Sequence, residues 1–499
     1  MNRRHFVQST IAAAVAASLP VSQVFPSLLA APMPLEADIN AIAGDGSEIT
    51  LKRAAVQELG ASLRGNLLLP GHEAYEDARR VLNAAIDKHP ALIAQCRGAA
   101  DVGNAVDFAR AENLLVAVKC GGHSLSGQST CDGGMMIDLS TLRSVRVDPW
   151  ARIAYVSGGS LLGDMDHETM AHGLVTTAGT VSHTGVGGLT LGGGFGRLAR
   201  RLGLAVDNLR AVDIVCADGK LRRASAEENP DLFWGIRGGG GNFGVVTAFE
   251  FGLHRMDRQV VGGTVAFPMN EARDVMKFFA DYVAQAPDEL YIDGGLSSRP
   301  EEGTGAWMHV CYSGPRNQAG KWVEPIRKAG TPVFDSIGTT DYVALQKSSD
   351  VSDPRARGAY IKSGFTTGIT GEAIDDILRG FEPHPVRAMA VAFAHIGGAV
   401  GRVPADATAF AHRYAQHDLL AVLDWPVDID PTEHVAWLKD YWGTLEPHTR
   451  GFYVNDTFDQ NEQRVRANYL GNYERLLQLK NKYDPTNLFR LNANITPSV

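Results

Sequence analysis

The sequence contains few cysteines, and their spacing is not typical of metal sites. Cys96, Cys120, Cys131, Cys216 and Cys311 are dispersed over 499 residues, and no two of them form a CxxC pair. Zinc sites and disulfide frameworks both depend on clustered or regularly spaced cysteines. We therefore expect neither a zinc site nor a disulfide framework, and we assign no metal to the protein.

Clustered positive charge is also missing. The formal net charge is -9 at pH 7, and no long run of Lys and Arg occurs. Nucleic acids and anionic membrane surfaces bind through such runs, so neither is expected as a partner. No glycine-rich turn is followed by an acidic residue within one βαβ unit, which argues against a nicotinamide-binding Rossmann domain. The length of 499 residues suffices for two or three domains with substantial cores.

The N-terminus has no apolar run long enough to span a membrane. Arg3 and Arg4 precede a short, alanine-rich stretch from Ile11 to Leu19, a pattern typical of a twin-arginine export signal. We expect residues 1–32 to be a signal peptide that the twin-arginine export machinery reads and that is then removed. The expected location is periplasmic or secreted, without membrane contact after signal removal. The alternative is a disordered leader on a cytoplasmic protein.

A loop of very small residues around His123 is the first candidate site. A strand-like run from Leu114 to Lys119 leads into it. Glycines on both sides of the histidine allow a tight turn that brings backbone N–H groups close to an anionic ligand such as a pyrophosphate. The alternative is a structural histidine in a tight loop. The candidate ligand contacts are Gly121, Gly122, His123, Ser124 and Gly127.

Two further glycine clusters, at 185–196 and 232–246, alternate glycine with Val, Leu, Phe and Trp. Flexible linkers combine glycine with serine instead, so these clusters indicate ordered loops that a large ligand can approach. The alternative for their glycines is turn formation alone. Asp207 is interpreted as a brace for the loop after the first of these clusters. The candidate ligand contacts are Gly188, Gly193, Asn208, Gly244 and Val246.

The C-terminal part adds an ordered series of further motifs, Tyr453-Val454-Asn455 and then 480–492, which contains Tyr483-Asp484-Pro485. With the three glycine loops, the chain resembles the berberine bridge enzyme-like FAD-linked oxidases of the vanillyl-alcohol oxidase / p-cresol methylhydroxylase superfamily, and among them the bacterial 6-hydroxy-D-nicotine oxidase-like members. The resemblance implies an α+β fold. It comprises a two-subdomain, PCMH-type FAD-binding domain at 33–256 and an antiparallel-sheet substrate domain with helices on one face at 257–449. A segment at 450–499 returns to the FAD domain.

The resemblance also implies how the cofactor is held. The histidine that matches His123 is bonded covalently to the 8α-methyl group of FAD in this family, and Asn492 is expected near the cofactor. Many members add a cysteinyl bond, but Val181 stands where that cysteine would be, and valine cannot form it. We therefore expect a single covalent attachment, unless Cys120 or Cys131 reaches the ring by another route.

The implied activity is hydride transfer from an alcohol or amine C–H of a small organic substrate to FAD, which dioxygen reoxidises with release of hydrogen peroxide. Thr184 lies where the family controls oxygen access. One alternative is a dehydrogenase that passes electrons to a quinone or another carrier. A second alternative, of another class, is a non-catalytic binding protein with the same fold.

The catalytic base has more than one candidate. Relatives carry Tyr-x-Asn-Tyr over the flavin, and here the strand ends in an aspartate, Tyr453-Val454-Asn455-Asp456. A carboxylate is ionised at neutral pH more readily than a phenol, so Asp456 and Tyr453 are both assigned as catalytic. Alternatively, Asp456 is a salt-bridged surface residue and Tyr453 packs in the core. His395 is a third candidate, interpreted as structural.

Overall fold

The computed structural model describes residues 37–350, 356–456, 458 and 461–499. The expected signal peptide at 1–32 lies outside the described residues. Within those ranges, no helix has both the length and the apolar character needed to cross a lipid bilayer.

The N-terminal region is a small α/β unit that ends at the His123 loop. Its four-stranded sheet has the order β3-β4-β6-β5, in which β6 pairs in parallel with both β4 and β5. These strands are short and almost wholly buried, as expected of a parallel sheet covered on both faces. The elements are β1 Ile39–Ile42, β2 Glu48–Leu51, α1 Arg53–Ser62, β3 Asn66–Leu68, α2 Tyr75–Arg79, β4 Leu92–Gln95, α3 Ala99–Ala111, β5 Val116–Lys119 and β6 Met135–Asp138.

The next region forms a five-stranded antiparallel sheet in the order β11-β10-β12-β8-β7. The glycine cluster at 185–196 forms a short helix followed by a loop. The elements are β7 Val145–Asp148, β8 Ile153–Ser157, α4 Leu162–Met170, β9 Leu174–Val175, α5 Val186–Leu191, α6 Ala199–Leu202, β10 Leu209–Val215, β11 Leu221–Ser225, α7 Pro230–Ile236 and β12 Val245–Gly252.

The third region is built on an antiparallel sheet with the order β17-β14-β16-β15-β20-β21-β19, and β18 also pairs with β14. The elements are β13 His254–Arg255, β14 Gln259–Pro268, α8 Ala272–Val283, β15 Leu290–Arg299, β16 Gly303–Tyr312, α9 Ala319–Arg327, β17 Phe334–Asp335, β18 Gly338–Asp341, α10 Tyr342–Lys347, β19 Arg357–Thr366, α11 Gly371–Gly380, β20 Ala388–His395, β21 His417–Pro426 and α12 Thr432–Leu445.

Alternation along β21 gives the third sheet two different faces. Leu419 and Leu423 pack into a core shared with α8, α11 and α12, whereas Asp418 and Leu420 point to the opposite side. Successive side chains of a strand point to opposite faces, so the helices cover one face and leave the other for a ligand. The α+β class and the helices on one face of an antiparallel sheet, both predicted from the sequence, are confirmed.

The C-terminal segment, with α13 Glu462–Asn468 and α14 Tyr473–Tyr483, packs on the second region. The fully buried Lys480 ammonium lies 2.7 Å from Asp484 and also donates to the carbonyl oxygens of Asn242 and Phe489, at 3.0 and 2.9 Å. The Asp484 carboxylate in turn accepts from the backbone N–H groups of Leu488 and Phe489. Because both charges are paired and hydrogen-bonded, their burial is compensated, and they fix the chain that leads to residue 492.

Candidate functional site

A cavity of about 420 Å³ lies where the regions meet. Its walls come from the His123 loop, both glycine clusters, the open face of the third sheet and the C-terminal segment. Nine of the residues assigned as ligand contacts or catalytic residues line it, although they come from distant parts of the chain. They are Gly121, Gly122, His123, Ser124, Gly188, Val246, Tyr453, Asp456 and Asn492.

His123 is held in the turn that follows β5, with its ring centroid 5.1 Å from that of His183. Its Nε2 atom is buried and has no hydrogen-bond partner in the described part of the chain. Burial, together with the neighbouring His183, lowers the pKa of His123 to about 4. The imidazole is therefore neutral at physiological pH, the form in which a ring nitrogen is a nucleophile.

Glycines open part of the cavity wall to close approach by a ligand. A Cβ atom added at Gly188 or at Gly240 would meet no protein atom within 4 Å, and one at Gly241 would meet only Asn492, at 3.8 Å. These positions line the cavity, so a side chain there would occupy its space. Backbone atoms of Gly188, Gly240 and Gly241 therefore form this part of the wall, which we call the glycine cradle.

Three other predicted contacts, Gly127, Gly193 and Gly244, do not line the cavity. In these positions glycine is required by the packing or the conformation of the backbone. A Cβ at Gly127 would lie 2.5 Å from Ile86, and one at Gly244 would lie 2.3 Å from the carbonyl oxygen of Val215. Gly193 has a φ of +124°, which L side chains rarely adopt. Their predicted role as direct ligand contacts is not supported by this placement.

Asn208 also lies away from the cavity lining, contrary to its predicted contact with a ligand. Its amide donates to the carbonyl oxygen of Leu204 at 2.9 Å, and its Oδ1 lies 2.6 Å from His254 Nε2. The adjacent Asp207 forms a two-pronged ion pair with Arg413 at 2.7 Å. Both side chains thus brace the loop after the first glycine cluster.

Tyr453 joins the C-terminal segment to the glycine wall. Its hydroxyl accepts hydrogen bonds from Asn455 Nδ2 at 2.9 Å and from the Gly194 N–H at 3.3 Å, and its ring packs 4.7 Å from that of Phe195. Burial and the charge of Asp456 raise the pKa of the phenol well above its ordinary value. The phenol therefore remains protonated at neutral pH.

Asp456 faces a second carboxylate that the sequence analysis missed, Asp418 on β21. Asp418 is fully buried, and no described residue forms a hydrogen bond with either of its oxygens. Burial and the charge of Asp456 raise the pKa of Asp418 well above its ordinary value, and burial raises the pKa of Asp456 to about 7. Two neighbouring buried carboxyls cannot both ionise easily, so the pair retains a proton near neutral pH.

Asp456 is not a salt-bridged surface residue. It is half-buried, lines the cavity, and forms no ion pair with any other residue that the structure describes. Its backbone N–H donates to the Tyr453 carbonyl oxygen at 3.0 Å, which closes a turn and directs the side chain inward. This part of the alternative interpretation is therefore wrong.

Asp293 on β15 is a third carboxylate in the cavity wall that the sequence analysis missed. Its Oδ1 is buried without a hydrogen-bond partner among the described residues, and burial raises its pKa to about 6 against the opposing effect of Arg197. Both Asp293 and Asp418 interrupt largely apolar strands. Burial of a carboxylate without a partner costs free energy. An aspartate within an apolar strand sequence was therefore the signal by which these residues could have been found.

The remaining candidates divide between the cavity and the core. Val181, Thr184 and Cys120 line the cavity, whereas Cys131 is buried in a separate apolar cluster. Burial raises the pKa of the Cys120 thiol to about 11, so it remains protonated at neutral pH. His395 does not line the cavity. Its ring stacks on that of His417, with the centroids 5.2 Å apart, which is consistent with a structural role.

Comparison with known proteins identifies the family. The family model described as "FAD binding domain" matches residues 90–225, and the one described as "Berberine and berberine like" matches residues 452–496. An FAD-linked oxidoreductase of Dictyostelium discoideum is 34% identical, over 89% of this chain and 97% of that protein. The chain belongs to the berberine bridge enzyme-like family of FAD-linked oxidoreductases.

Other relatives of this oxidoreductase extend over nearly the whole chain. A xylooligosaccharide oxidase of Thermothelomyces thermophilus is 27% identical, covering 93% of this chain and 99% of that protein. The crystal structure of 6-hydroxy-D-nicotine oxidase from Arthrobacter nicotinovorans superposes with a TM-score of 0.80 at 26% identity, covering 88% of this chain and 99% of that one. The predicted PCMH-type architecture is thereby confirmed, and the protein is an FAD-linked oxidoreductase.

The cavity of the oxidoreductase fits FAD by three observations. The backbone cradle at Gly188 and Gly240 leaves room for a bulky ligand. The buried His123 Nε2 and Asn492 Oδ1 atoms lack hydrogen-bond partners among the residues that the structure describes. Gly121, Gly122 and Ser124 line the cavity, and loops of such small residues can bring backbone N–H groups close to a pyrophosphate. The Gly121–Gly122 turn, Gly188 and Gly240 would hold the cofactor through their backbone.

Proposed function

We propose that this oxidoreductase is an exported oxidase that removes a hydride from the C–H of an alcohol or amine in a small substrate. The observation that carries the proposal is the Asp418–Asp456 pair, which shares one cavity with His123 and the glycine cradle. Bound FAD supplies the two-electron acceptor, and dioxygen is the proposed final acceptor, with hydrogen peroxide as its product. Relatives named as oxidases of 6-hydroxy-D-nicotine and of xylooligosaccharides support this reaction class.

His123 is the proposed single point of covalent attachment, through the 8α-methyl group of FAD. Its neutral imidazole, whose Nε2 has no hydrogen-bond partner among the described residues, supports this role, because a protonated ring has no lone pair to form the bond. Val181 in the cavity wall supplies no sulfur for a second bond. Cys120 lines the same cavity as a protonated thiol, which is a poor nucleophile.

The Asp418–Asp456 pair is the proposed base. A carboxyl group whose pKa lies near 7 can accept a proton at neutral pH and release it again, which suits general base catalysis. The pair would take the proton from the O–H or N–H that is attached to the reacting carbon. Tyr453 instead positions the segment that carries Asp456, because its hydroxyl is engaged by Asn455 and its pKa is raised.

Export by the twin-arginine machinery is proposed from Arg3, Arg4 and the apolar stretch after them. Covalent attachment fits export, since a tethered cofactor is not lost outside the cytoplasm, where it could not be replaced.

The test uses purified full-length protein. We expect the acid-precipitated protein to remain yellow, and a panel of amines and alcohols to contain one that bleaches the flavin without oxygen. Admission of air should restore the colour and release hydrogen peroxide. Flavin that remains reduced in air but is reoxidised by a quinone would instead establish the dehydrogenase alternative, and a colourless precipitate would refute covalent attachment.

A further inference from the structure

The wall of the cavity formed by the third sheet and the C-terminal segment is acidic. Asp293, Asp418 and Asp456 line the cavity, and no lysine or arginine is among the described residues that do so. Among the described residues, both oxygens of the completely buried Asp418 and the Oδ1 of Asp293 have no hydrogen-bond partner, although Tyr291 bonds to the Asp293 carboxylate. Buried carboxylate oxygens are normally hydrogen-bonded or paired with a cation, so these three oxygens are available to a cationic ligand.

Arg197 is the cationic group that acts on Asp293, and its charge partly offsets the burial that raises the pKa of Asp293. Arg197 forms no ion pair with Asp293 among the described residues, because its hydrogen bonds go to Thr180, Gln346 and Ser349. His309 is the cross-strand neighbour of Asp293, and burial lowers its pKa to about 3, so it carries no charge. Tyr291, which lies beside Asp293, is neutral as well.

The groups packed around Asp418 add no positive charge either. Its cross-strand neighbours are Phe365 on β19 and Ala394 on β20. The preceding residue, His417, has a pKa lowered to about 3 by burial and is neutral. The charge that acts on Asp418 is therefore that of Asp456.

We propose that the substrate is an amine that binds as its ammonium ion, with Asp293 as the charge partner and the Asp418–Asp456 pair as the proton acceptor. The inference rests on the oxidase function proposed above. An N–H proton passes to the pair, and the C–H hydride, with its two electrons, passes to the flavin. The substrate is left as an iminium cation, which water hydrolyses to a carbonyl compound and a free amine.

The sign of the developing charge favours the amine over an alcohol. Oxidation of an amine builds positive charge on the substrate, and a carboxylate in a low-dielectric cavity stabilises it. Oxidation of an alcohol passes through alkoxide character, which the same carboxylate opposes. The acidic wall thus stabilises the transition state of one reaction and destabilises that of the other.

The test compares two probes of the same shape that the flavin cannot oxidise, phenyltrimethylammonium and tert-butylbenzene. Binding to the yellow holoenzyme is followed by the change in the visible absorption of the flavin. The cation should bind roughly 10- to 100-fold more tightly than the neutral probe. Asp293→Asn should remove most of that preference and leave the affinity for tert-butylbenzene unchanged.

Asp428→Asn is the matched control, since Asp428 is exposed in the turn after β21 and lies outside the cavity lining. It removes the same charge and should leave both affinities unchanged. Equal affinity for the two probes, or no binding of the cation, would overturn the inference. Bleaching of the flavin by cellobiose, with none by an amine panel, would also overturn it while leaving the oxidase function intact. Lack of bleaching by any substrate would instead count against the oxidase function.

Discussion

The two walls of the cavity are built on different principles. One wall is made of glycine-rich loops such as the turn at Gly188, whose neutral backbone leaves room for the cofactor. The other wall is made of side chains, with Asp293 and Asp418 on separate strands and Asp456 in the C-terminal segment. In the proposed function, the first wall holds the cofactor by shape and backbone N–H groups, whereas the second acts through charge.

Loss of the tether should be the largest effect on the cofactor wall. His123→Ala removes the only imidazole assigned to the flavin bond, so acid precipitation should yield colourless protein. The measurement is flavin fluorescence of the denatured polypeptide after electrophoresis. Persistent fluorescence in this variant would assign the bond to another residue, with Cys120 as the next candidate.

On the acidic wall, Asp418→Asn should slow anaerobic flavin reduction by a good substrate about 10²- to 10⁴-fold, because the base pair is lost. Covalent flavin content should be unchanged. The wild-type reduction rate should rise as pH increases through about 7, the pKa of Asp456. Stopped-flow absorbance at several pH values measures both effects, and a wild-type rate independent of pH would remove the pair from the mechanism.

The buried pair of Lys480 and Asp484 fixes the C-terminal segment against the glycine loop that contains Asn242. Lys480→Met leaves a buried carboxylate without its partner and should lower the free energy of unfolding by about 3–5 kcal/mol. Lys482→Met is the matched control in the same helix, because its pair with Asp231 is exposed and should contribute less than about 1 kcal/mol. Chemical denaturation of both variants gives the comparison, and equal losses would contradict it.

Filling the glycine cradle should weaken FAD binding by about 1–3 kcal/mol. Gly188→Leu places a side chain in the cavity, where no protein atom lies within 4 Å of the new Cβ. Gly320→Leu places the same side chain on an exposed helix with equally open space, and should leave the flavin content unchanged. The ratio of flavin to protein absorbance tests this. A full flavin content in Gly188→Leu would show that this part of the wall does not face the cofactor.

The smallest expected effect is the pH dependence that Asp418 gives to the free energy of unfolding. The native pKa of Asp418 is raised above its unfolded value, so the native state binds more protons than the unfolded state between those values. Native stability therefore falls as pH rises from about 4 through the raised pKa, by on the order of 1 kcal/mol per unit. Asp418→Asn should remove this loss and raise the melting temperature more at pH 8 than at pH 5. The same shift at both pH values would contradict the assignment.

Local sequence was sufficient for the histidine loop, but not for the whole glycine wall. The strand that ends at Lys119 and the small residues around His123 are contiguous, so their pattern identifies a ligand loop without knowledge of the fold. The largely apolar runs at 260–267, 290–296, 306–312 and 388–394 lie within β14, β15, β16 and β20. The sequence analysis assigned no role to β21, which carries the missed Asp418.

By itself, the sequence determined the family, the α+β class and the histidine loop, because these depend on residues that are adjacent in the chain or follow a fixed order. Tertiary structure alone decided which glycines face the cavity and which, like Gly244, pack against a strand. It also decided that Asp293, Asp418 and Asp456 converge, since strand pairing and the return of the C-terminal segment join positions over 160 residues apart. The pKa values of the acidic wall follow from that convergence, because burial and neighbouring charge exist only in the folded chain.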